Sequence, residues 1–291
     1  MPLAEFFTAY PAFLIFCATV FGLAVGSFLN VVIYRLPVML EREWRAQCAE
    51  FLNTAAAPAP AEKFNLATPR SRCPTCGHAI RAHENIPVLS YLLLRGRCSA
   101  CGVKISARYP IIEFVTGLLS AVVAWRYGFT IAALAALFLT WALIALTMID
   151  FDHQLLPDNI TLPWLWLGLL LSIGSVFTDM QSSIVGAVAG YLSLWIVYQV
   201  FKWATGKEGM GFGDFKLLGM LGAWLGWQAL PAIILLSSLV GATVGISLIV
   251  FARRDRRIPI PFGPYLAAAG WIYLVWGEQV NTYYLHISGV Q

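Results

Sequence analysis

The sequence predicts an all-α polytopic membrane protein with about eight transmembrane helices and one small polar insert. Three observations lead to this prediction. The 291 residues are 59% hydrophobic and only 12% charged, whereas a soluble domain carries about 25% charged residues. Apolar runs of ~20 residues recur along the chain, and this is the length that crosses a bilayer as a helix. The one extended polar stretch, residues 34–109, lies between the first two runs.

The predicted spans follow one another with short connections. They cover residues 11–33, 110–127, 130–149, 160–177, 183–202, 215–230, 231–252 and 263–285. Only the short segment Gly226–Pro231 separates the sixth span from the seventh. Tryptophans such as Trp125 and Trp227 lie near predicted ends, where their rings favour the membrane interface. The first run lacks a basic segment before it, so we interpret it as a retained helix and not as a cleaved signal peptide.

The distribution of Lys and Arg predicts the orientation in the membrane. These residues concentrate in three connections, residues 34–109, 202–216 and 252–258. Of the 19 Lys and Arg residues, only Arg126 falls on the opposite face. The positive-inside rule makes the basic face cytosolic and directs both chain ends away from the cytosol. Because membrane topology accounts for this basic face, it does not indicate nucleic-acid binding.

The polar insert contains a pattern typical of a zinc ribbon. Two Cys-x-x-Cys-Gly turns supply Cys73, Cys76, Cys98 and Cys101, and 21 residues lie between Cys76 and Cys98. Four thiolates close the tetrahedron around Zn²⁺, so the predicted metal is structural and has no open catalytic position. A reducing cytosolic environment disfavours disulfides. The alternative is four unligated cysteines, and the nearby His78 and His83 are more typical of surface residues than of ligands.

Two aspartates at the ends of apolar runs predict an aspartyl protease within a membrane. Asp150 ends the run that begins at Trp141, and Asp214 ends the segment Gly209-Met-Gly-Phe-Gly-Asp214. Carboxylates at a bilayer boundary are costly and usually functional. Two that lie close together share one proton and activate water, provided that the third and sixth helices are neighbours. The glycines before Asp214 let the backbone approach a substrate strand closely.

Simpler interpretations of the acids remain open. Asp150 and Asp214 could each only cap or terminate a helix, as Asp158 is expected to do at the start of the fourth span. Glu113 lies one turn inside the second span. It is a functional acid, a partner of Arg108, or an acid that the helix dipole favours in a first turn.

Several sequence blocks occur together in one order. They are Gly26–Pro37, the two cysteine pairs, Glu84–Ser90, Ile105–Glu113, Asp150–Asp158, Gly211–Leu218 and Pro261–Leu266. With these blocks the chain resembles, over nearly its whole length, the type IV prepilin leader peptidases of bacteria. We see no departure from the family pattern at the positions that the resemblance makes catalytic.

The resemblance implies a bifunctional enzyme of the bacterial inner membrane with both termini in the periplasm. Such enzymes cut the leader from type IV prepilins and type II secretion pseudopilins after a glycine, at the cytosolic face. They then methylate the new N-terminus with S-adenosylmethionine. The resemblance assigns catalysis to Asp150 and Asp214, links the insert to methylation, and makes Gly96 a residue important for the methyltransferase and its cofactor.

The expected domains are therefore a first transmembrane helix over residues 1–33, a cytosolic insert with the four-cysteine zinc site over residues 34–109, and a seven-helix protease core over residues 110–291. Membrane lipid is the other expected partner. Two alternatives remain open. One is an intramembrane aspartyl protease with a broader substrate range, and the other is a transporter or scaffold that carries a zinc ribbon. Transport is usually accompanied by a repeat of the two halves, and the sequence shows none.

Overall fold

The computed structural model describes residues 3–52, 64–251 and 260–288. Within these residues the secondary structure is helical apart from two isolated antiparallel bridges in the polar insert. The predicted all-α class is therefore confirmed. Residues 53–62 of the polar insert, whose Ala- and Pro-rich composition predicts a flexible linker, and the basic connection at residues 252–258 lie outside the described residues.

Ten α-helices occur in the described part of the chain. They are α1 (Leu3–Ala9), α2 (Pro11–Phe51), α3 (Leu89–Leu93), α4 (Arg108–Tyr127), α5 (Ile131–His153), α6 (Asp158–Ile173), α7 (Met180–Thr205), α8 (Phe212–Leu225), α9 (Leu230–Val250) and α10 (Gly263–Ser288). Each of the eight predicted spans coincides with one of these helices. The short helices α1 and α3 are the two that the apolar pattern did not predict.

Fewer of these helices are long and apolar enough to cross a membrane than the helix count would suggest. Within the described residues, five segments are long and apolar enough to cross by length and composition: α2, α4, α5, α7 and Trp227–Val250. The helix α6 has 16 residues and α8 has 14, so both are shorter than the ~20 residues that a full crossing needs. The predicted count of eight spans is not confirmed.

The structure divides into two units, Met1–Phe129 and Thr130–Gln291, and each is described by itself. In the first unit α2 and α4 pack side by side. Gly22 of α2 faces Ser120 of α4, and Gly26 faces Glu113 and Thr116 so closely that a Cβ at either glycine would collide with α4. As residue numbers increase along α2, the contacting residue numbers in α4 decrease, so the two helices are antiparallel.

The helix α2 continues well beyond its predicted end at residue 33. It has 41 residues and is therefore ~60 Å long, about twice the thickness of the hydrocarbon core. Its last third, after Pro37, is built mainly of helix-forming Leu, Glu, Arg, Ala and Gln. Glu41 and Arg45 add an ion pair one turn apart. The residues predicted to open the insert thus begin as an extension of the first transmembrane helix.

A buried arginine holds the start of the insert to α2. Arg35 is only 7% exposed. Its guanidinium donates hydrogen bonds to the carbonyl oxygens of Asn65 at 2.8 Å and Pro69 at 2.6 Å. Phe64 lies under this guanidinium and also under that of Arg42. These contacts satisfy the buried charge and fix residues 64–69 against the helix.

In the second unit, α8 packs between α6 and α7, and α10 packs on α5, α8 and α9. Indole N–H groups connect three helix pairs. Trp224 of α8 donates to the Trp164 carbonyl of α6 at 2.7 Å, and Trp271 of α10 donates to Thr140 Oγ1 of α5 at 3.0 Å. Trp164 itself donates to the Phe138 carbonyl of α5 at 3.1 Å. In an apolar environment such bonds fix one helix against the next.

Glycines bring α7 and α8 into backbone contact. A Cβ at Gly222 would collide with the Gly186 carbonyl, and a Cβ at Gly190 would collide with the Leu218 carbonyl. Ser183 of α7 also donates a hydrogen bond to the Ala223 carbonyl of α8 at 2.5 Å. Small residues that let helices approach this closely are typical of packing within membranes.

Candidate aspartyl site and cysteine cluster

Asp150 lies in the last turn of α5. The helix begins at a cap formed by Thr130, whose hydroxyl accepts from the Ala133 N–H at 3.1 Å. It ends where Gln154 takes a left-handed conformation. Asp150 is 5% exposed. Its Oδ2 accepts a hydrogen bond of 3.0 Å from the backbone N–H of Gly263, the first residue of α10.

Asp214 lies in the first turn of α8, two residues after the helix starts at Phe212. Its carboxylate lies near Gly211, the residue at the N-cap position, but no side chain caps this helix with a hydrogen bond. Asp214 is 8% exposed. It is therefore a buried acid of the first turn, and the simpler interpretation as a helix cap does not account for it.

The two carboxylates lie close enough for their charges to interact. Leu156, 7% exposed, packs against both Gly213, which precedes Asp214, and Gly263, which binds Asp150. A Cβ at Gly213 would lie 2.8 Å from the Leu156 Cβ, and one at Gly263 would lie 2.6 Å from Asp150 Oδ2. The structure thus brings together the two acids that the sequence predicted. Leu156 is the apolar side chain that packs beside both of them.

Two buried acids this close together titrate as a pair and can hold one proton between them. Such a pair supplies a carboxylate that takes a proton from water and a carboxylic acid that donates one. The sequence pattern Pro261–Tyr265 predicts only the start of the last helix. The Gly-Pro step at residues 263–264 does start α10, but it also directs the Gly263 amide at Asp150. No feature of the sequence shows which acid this amide meets.

Asp158 does not act as the expected N-cap. It is the first residue of α6, Pro157 occupies the capping position, and no side chain caps this helix. Instead, both carboxylate oxygens of Asp158 accept from Lys216 Nζ, at 2.8 and 2.7 Å. Lys216 follows Asp214 by two residues, so this ion pair connects the start of α6 to the start of α8.

The cysteine-bearing segment is built from two similar turns. In the first, Cys73 N–H donates to the His78 carbonyl and Gly77 N–H donates to the Cys73 carbonyl, both at 2.9 Å. In the second, Cys98 and Gly102 repeat the pattern at 2.9 and 3.0 Å, with Val103 in place of His78. The glycines have φ of 71° and 70°, a conformation that other residues rarely adopt. The Cys-x-x-Cys-Gly pattern predicted this geometry.

The two turns bring four sulfurs together. The Sγ atoms of Cys73, Cys76, Cys98 and Cys101 all lie within 4.8 Å of one another. The Sγ separation is 3.9 Å for Cys73 and Cys101, and 4.0 Å for Cys76 and Cys98. Four thiolates around Zn²⁺ at ~2.3 Å lie about 3.8 Å apart, so the arrangement fits the ion. The backbone N–H groups of Cys76 and Thr75 lower the pKa of the Cys73 thiol to about 6, whereas burial and the neighbouring sulfurs raise the pKa of the Cys76 thiol to about 12. The cluster by itself therefore favours one thiolate and disfavours a second beside it.

Glu84 connects the two cysteine turns. Its Oε2 accepts from the Arg81 N–H at 2.8 Å and lies 3.2 Å from His78 Nε2, beside the first turn. Its Oε1 accepts from Ser99 Oγ at 2.5 Å, within the second turn. These contacts, the Arg81 amide foremost, lower the pKa of Glu84 to about 2. His78, which is more typical of a surface residue than of a ligand, thus contacts Glu84, and no local pattern predicts the connecting roles of Glu84 and Ser99.

Gly96 occupies a restricted position in the insert. Its φ is 66°, and a Cβ there would lie 2.8 Å from the Tyr91 hydroxyl oxygen. Its N–H donates to the Tyr91 carbonyl and its carbonyl accepts from the Ile105 N–H, both at 2.8 Å. Glycine is therefore required here both for its backbone conformation and for the close approach of Tyr91.

Glu113 is 9% exposed on α4. Its Oε2 accepts a hydrogen bond of 2.8 Å from the backbone N–H of Val88 in the insert. The sequence did not predict this bond to a backbone amide 25 residues away. Glu113 thus connects the insert to a transmembrane helix.

Comparison with known families gives two consecutive matches. The family described as Bacterial Peptidase A24 N-terminal domain matches residues 20–127, which include both cysteine turns and Glu113. The family described as Type IV leader peptidase family matches residues 137–246, which include Asp150 and Asp214. No solved structure matches the chain.

Curated relatives extend over nearly the whole length. A Stutzerimonas stutzeri protein named prepilin leader peptidase/N-methyltransferase is 56% identical over 284 residues, 98% of each chain. Relatives of the same name occur in Pseudomonas aeruginosa, 54% identical over 99% of each chain, and in Neisseria gonorrhoeae, 51% identical over 90% of this chain and 91% of the relative. With this identity over nearly its full length, the chain belongs to the bacterial type IV leader peptidase family.

Proposed function

We propose that this chain is a bifunctional enzyme that cleaves the leader of type IV prepilins and type II secretion pseudopilins and then N-methylates the new N-terminus. The observation that carries the proposal is the pairing of Asp150 with Asp214, two buried carboxylates from α5 and α8. Relatives named prepilin leader peptidase/N-methyltransferase give the substrate class and the second activity.

In the proposed cleavage, one carboxylate of the pair takes a proton from water while the water oxygen attacks the carbonyl carbon of the scissile bond. The partner carboxylic acid donates its proton to the carbonyl oxygen. The tetrahedral intermediate then collapses, the C–N bond breaks, and the amine leaves with a proton from the pair. Gly263 acts in positioning, because its amide occupies Oδ2 of Asp150 and leaves Oδ1 to face the water.

The site suits a prepilin at the cytosolic face of the inner membrane. We place both termini in the periplasm, from the distribution of Lys and Arg. Asp150 then lies at the cytosolic end of α5, the depth at which a basic leader joins an apolar helix. A helical cleavage site must unfold before it is cut. A glycine before the cut makes this easier by ~1 kcal/mol relative to alanine.

We assign the insert at residues 34–109 to methylation and residues 110–291 to cleavage. Cys73, Cys76, Cys98 and Cys101 would hold a structural zinc ion that keeps the two turns together. S-Adenosylmethionine would supply an electrophilic methyl group to the new amine. Gly96 would support this activity by maintaining the insert, because its own contacts are with Tyr91 and Ile105.

The experiment combines purified enzyme in lipid with a prepilin and S-adenosylmethionine, and mass spectrometry reads the N-terminus of the product. The wild type should give a shortened chain with one added methyl group. Asp150→Asn and Asp214→Asn should each lower cleavage at least ~100-fold, the usual contribution of a general acid or base. Asp152→Asn is the matched control, since it removes an exposed carboxylate two residues from Asp150, and it should retain cleavage.

The other outcomes separate the alternatives. A shortened but unmethylated product would keep the protease and remove the methyltransferase assignment. Substantial cleavage by either Asp→Asn variant would contradict the two-acid mechanism. An intact prepilin with folded wild-type enzyme would favour the transporter or scaffold.

A further inference from the structure

The helix α3 is a five-residue turn of the insert whose apolar side chains face outward. Leu89, Leu92 and Leu93 are 50%, 65% and 73% exposed, and their i, i+3, i+4 spacing puts them on one face of the helix. Tyr91 points the other way, toward Gly96, and its hydroxyl donates to the Ile105 carbonyl at 3.3 Å. A cluster of outward leucines beside a transmembrane helix requires a partner that is apolar.

The helix α4 gives the depth of this turn in the membrane. Its 20 residues extend ~30 Å, which matches the hydrocarbon core. Glu113 lies five residues after the start of α4 at Arg108, so its Cα is ~7.5 Å inside that end. Side chains on a helix point toward its N-terminus, and the carboxylate therefore reaches back toward the insert.

The predicted first span, which begins at residue 11 at the start of α2, gives a consistent depth. Gly26 packs against the Cα of Glu113 and lies fifteen residues after the start of α2 at Pro11. This distance along the helix is ~22 Å, which leaves about 8 Å of hydrocarbon core on the insert side. Both helices therefore place Glu113 just inside the boundary between acyl chains and headgroups.

The hydrogen bond between Glu113 and Val88 places the start of α3 at the same depth in the membrane as the Glu113 carboxylate. Val88 immediately precedes Leu89 and donates its backbone N–H to Glu113 Oε2 at 2.8 Å. A backbone amide at this depth needs such an acceptor because water is scarce there. Val88 has a φ of 60°, which is unfavourable for a β-branched residue and shows that the surrounding contacts impose its position.

The charges that follow fit the same location. Arg95 and Arg97 come directly after the apolar turn and are exposed. An apolar face followed by basic residues is typical of segments that lie in the headgroup layer of an anionic leaflet. We propose that Leu89, Leu92 and Leu93 insert into the bilayer interface and anchor the cysteine-bearing insert on the lipid surface at a fixed height.

The test uses the full chain in nanodiscs of phosphatidylcholine and phosphatidylglycerol. The photo-crosslinker p-benzoylphenylalanine replaces Leu92 in one variant and Leu93 in another. A third variant carries it at Ala100, an exposed residue of the second cysteine turn, as the matched control. After irradiation, mass spectrometry counts lipid adducts on each labelled peptide. Adducts at Leu92 and Leu93 should exceed those at Ala100 several-fold.

Equal lipid labelling at the three positions would overturn the proposal. So would cross-links from Leu92 and Leu93 mainly to peptides of this chain or of a second copy, because protein would then cover the turn. Metal content of each labelled protein reports whether the insert is folded. If p-benzoylphenylalanine at Leu92 or Leu93 lowers the metal content, the same substitution at Leu89 is used to measure lipid labelling instead. The result does not depend on either enzymatic activity.

Discussion

The backbone N–H of Gly263 donates a hydrogen bond to Oδ2 of Asp150 across 113 residues of sequence. Because this N–H belongs to the first residue of α10, the positive end of that helix also faces the carboxylate. The contact fixes one oxygen of Asp150 and thereby the direction in which the other oxygen points. The position of one proposed catalytic acid therefore depends on a glycine in a distant helix.

Gly263→Ala should displace the Asp150 carboxylate, because the new Cβ would lie 2.6 Å from Oδ2 and 3.1 Å from Leu156. A shift of ~1 Å at a catalytic group lowers rates ~100-fold, and we expect a loss of this size in prepilin cleavage. Gly174→Ala is the control, since a Cβ there approaches no atom closer than 3.7 Å. Cleavage by Gly263→Ala at the control rate would show that the carboxylate does not need this contact.

The Asp158–Lys216 ion pair should stabilise the junction of α6 and α8 without taking part in catalysis. Its side chains are 49% and 29% exposed, so the pair contributes about 1 kcal/mol or less. Lys216→Met should lower the thermal midpoint slightly and keep cleavage, and reversing both charges should restore the midpoint. If Lys216→Met abolished cleavage in a folded protein, Lys216 would have to be placed in the chemistry.

Glu84→Gln should weaken zinc retention, because the carboxylate holds the Arg81 amide beside the first cysteine turn and Ser99 in the second. The folded pKa lies near 2 against an ordinary 4.5. The carboxylate therefore contributes fully above pH 4.5 and loses its effect only as the pH falls toward 2. At neutral pH, a chelator should remove zinc from this variant faster than from the wild type.

The matched control for that measurement is Glu50→Gln, which removes a carboxylate from an exposed position of α2. The double variant Cys73→Ser with Cys76→Ser gives the reference for complete loss of zinc. If Glu84→Gln released zinc at the same rate as the Glu50→Gln control, the metal alone would hold the two cysteine turns together.

Gly96→Ala should impair methylation more than cleavage. The added Cβ requires a left-handed conformation at residue 96 and displaces Tyr91, which distorts the insert and leaves α5 and α8 unchanged. Mass spectrometry of the product should show chains that are shortened but mostly unmethylated. Equal loss of both activities would indicate general misfolding, and full methylation would separate Gly96 from that activity.

Much of the fold was predictable because hydrophobic runs and Cys-x-x-Cys-Gly turns are local signals. The eight apolar runs each coincide with a helix, and the four cysteines converge as their spacing predicts. The end of α2 was not predictable from hydropathy, since residues 38–51 are polar enough to suggest a loop while their helix propensity extends the span.

The missed contacts in the candidate sites are all long-range. Aspartate is a residue type favoured at helix N-caps, and Asp158 lies at a helix start. Its partner is nevertheless Lys216, 58 residues away. For Glu113 the sequence left three roles open, a functional acid, a partner of Arg108 or an acid favoured by the helix dipole, and the structure adds a bond to the Val88 amide. A local pattern names an acid as a candidate, whereas its partner depends on how the helices pack.

The glycine contacts between α7 and α8 fix the position of Asp214. Backbone lies against backbone at Gly186 and Gly222, which leaves no space between the two helices at these positions. Because Asp214 lies in the first turn of α8, a displacement of α7 would carry one acid of the proposed pair with it.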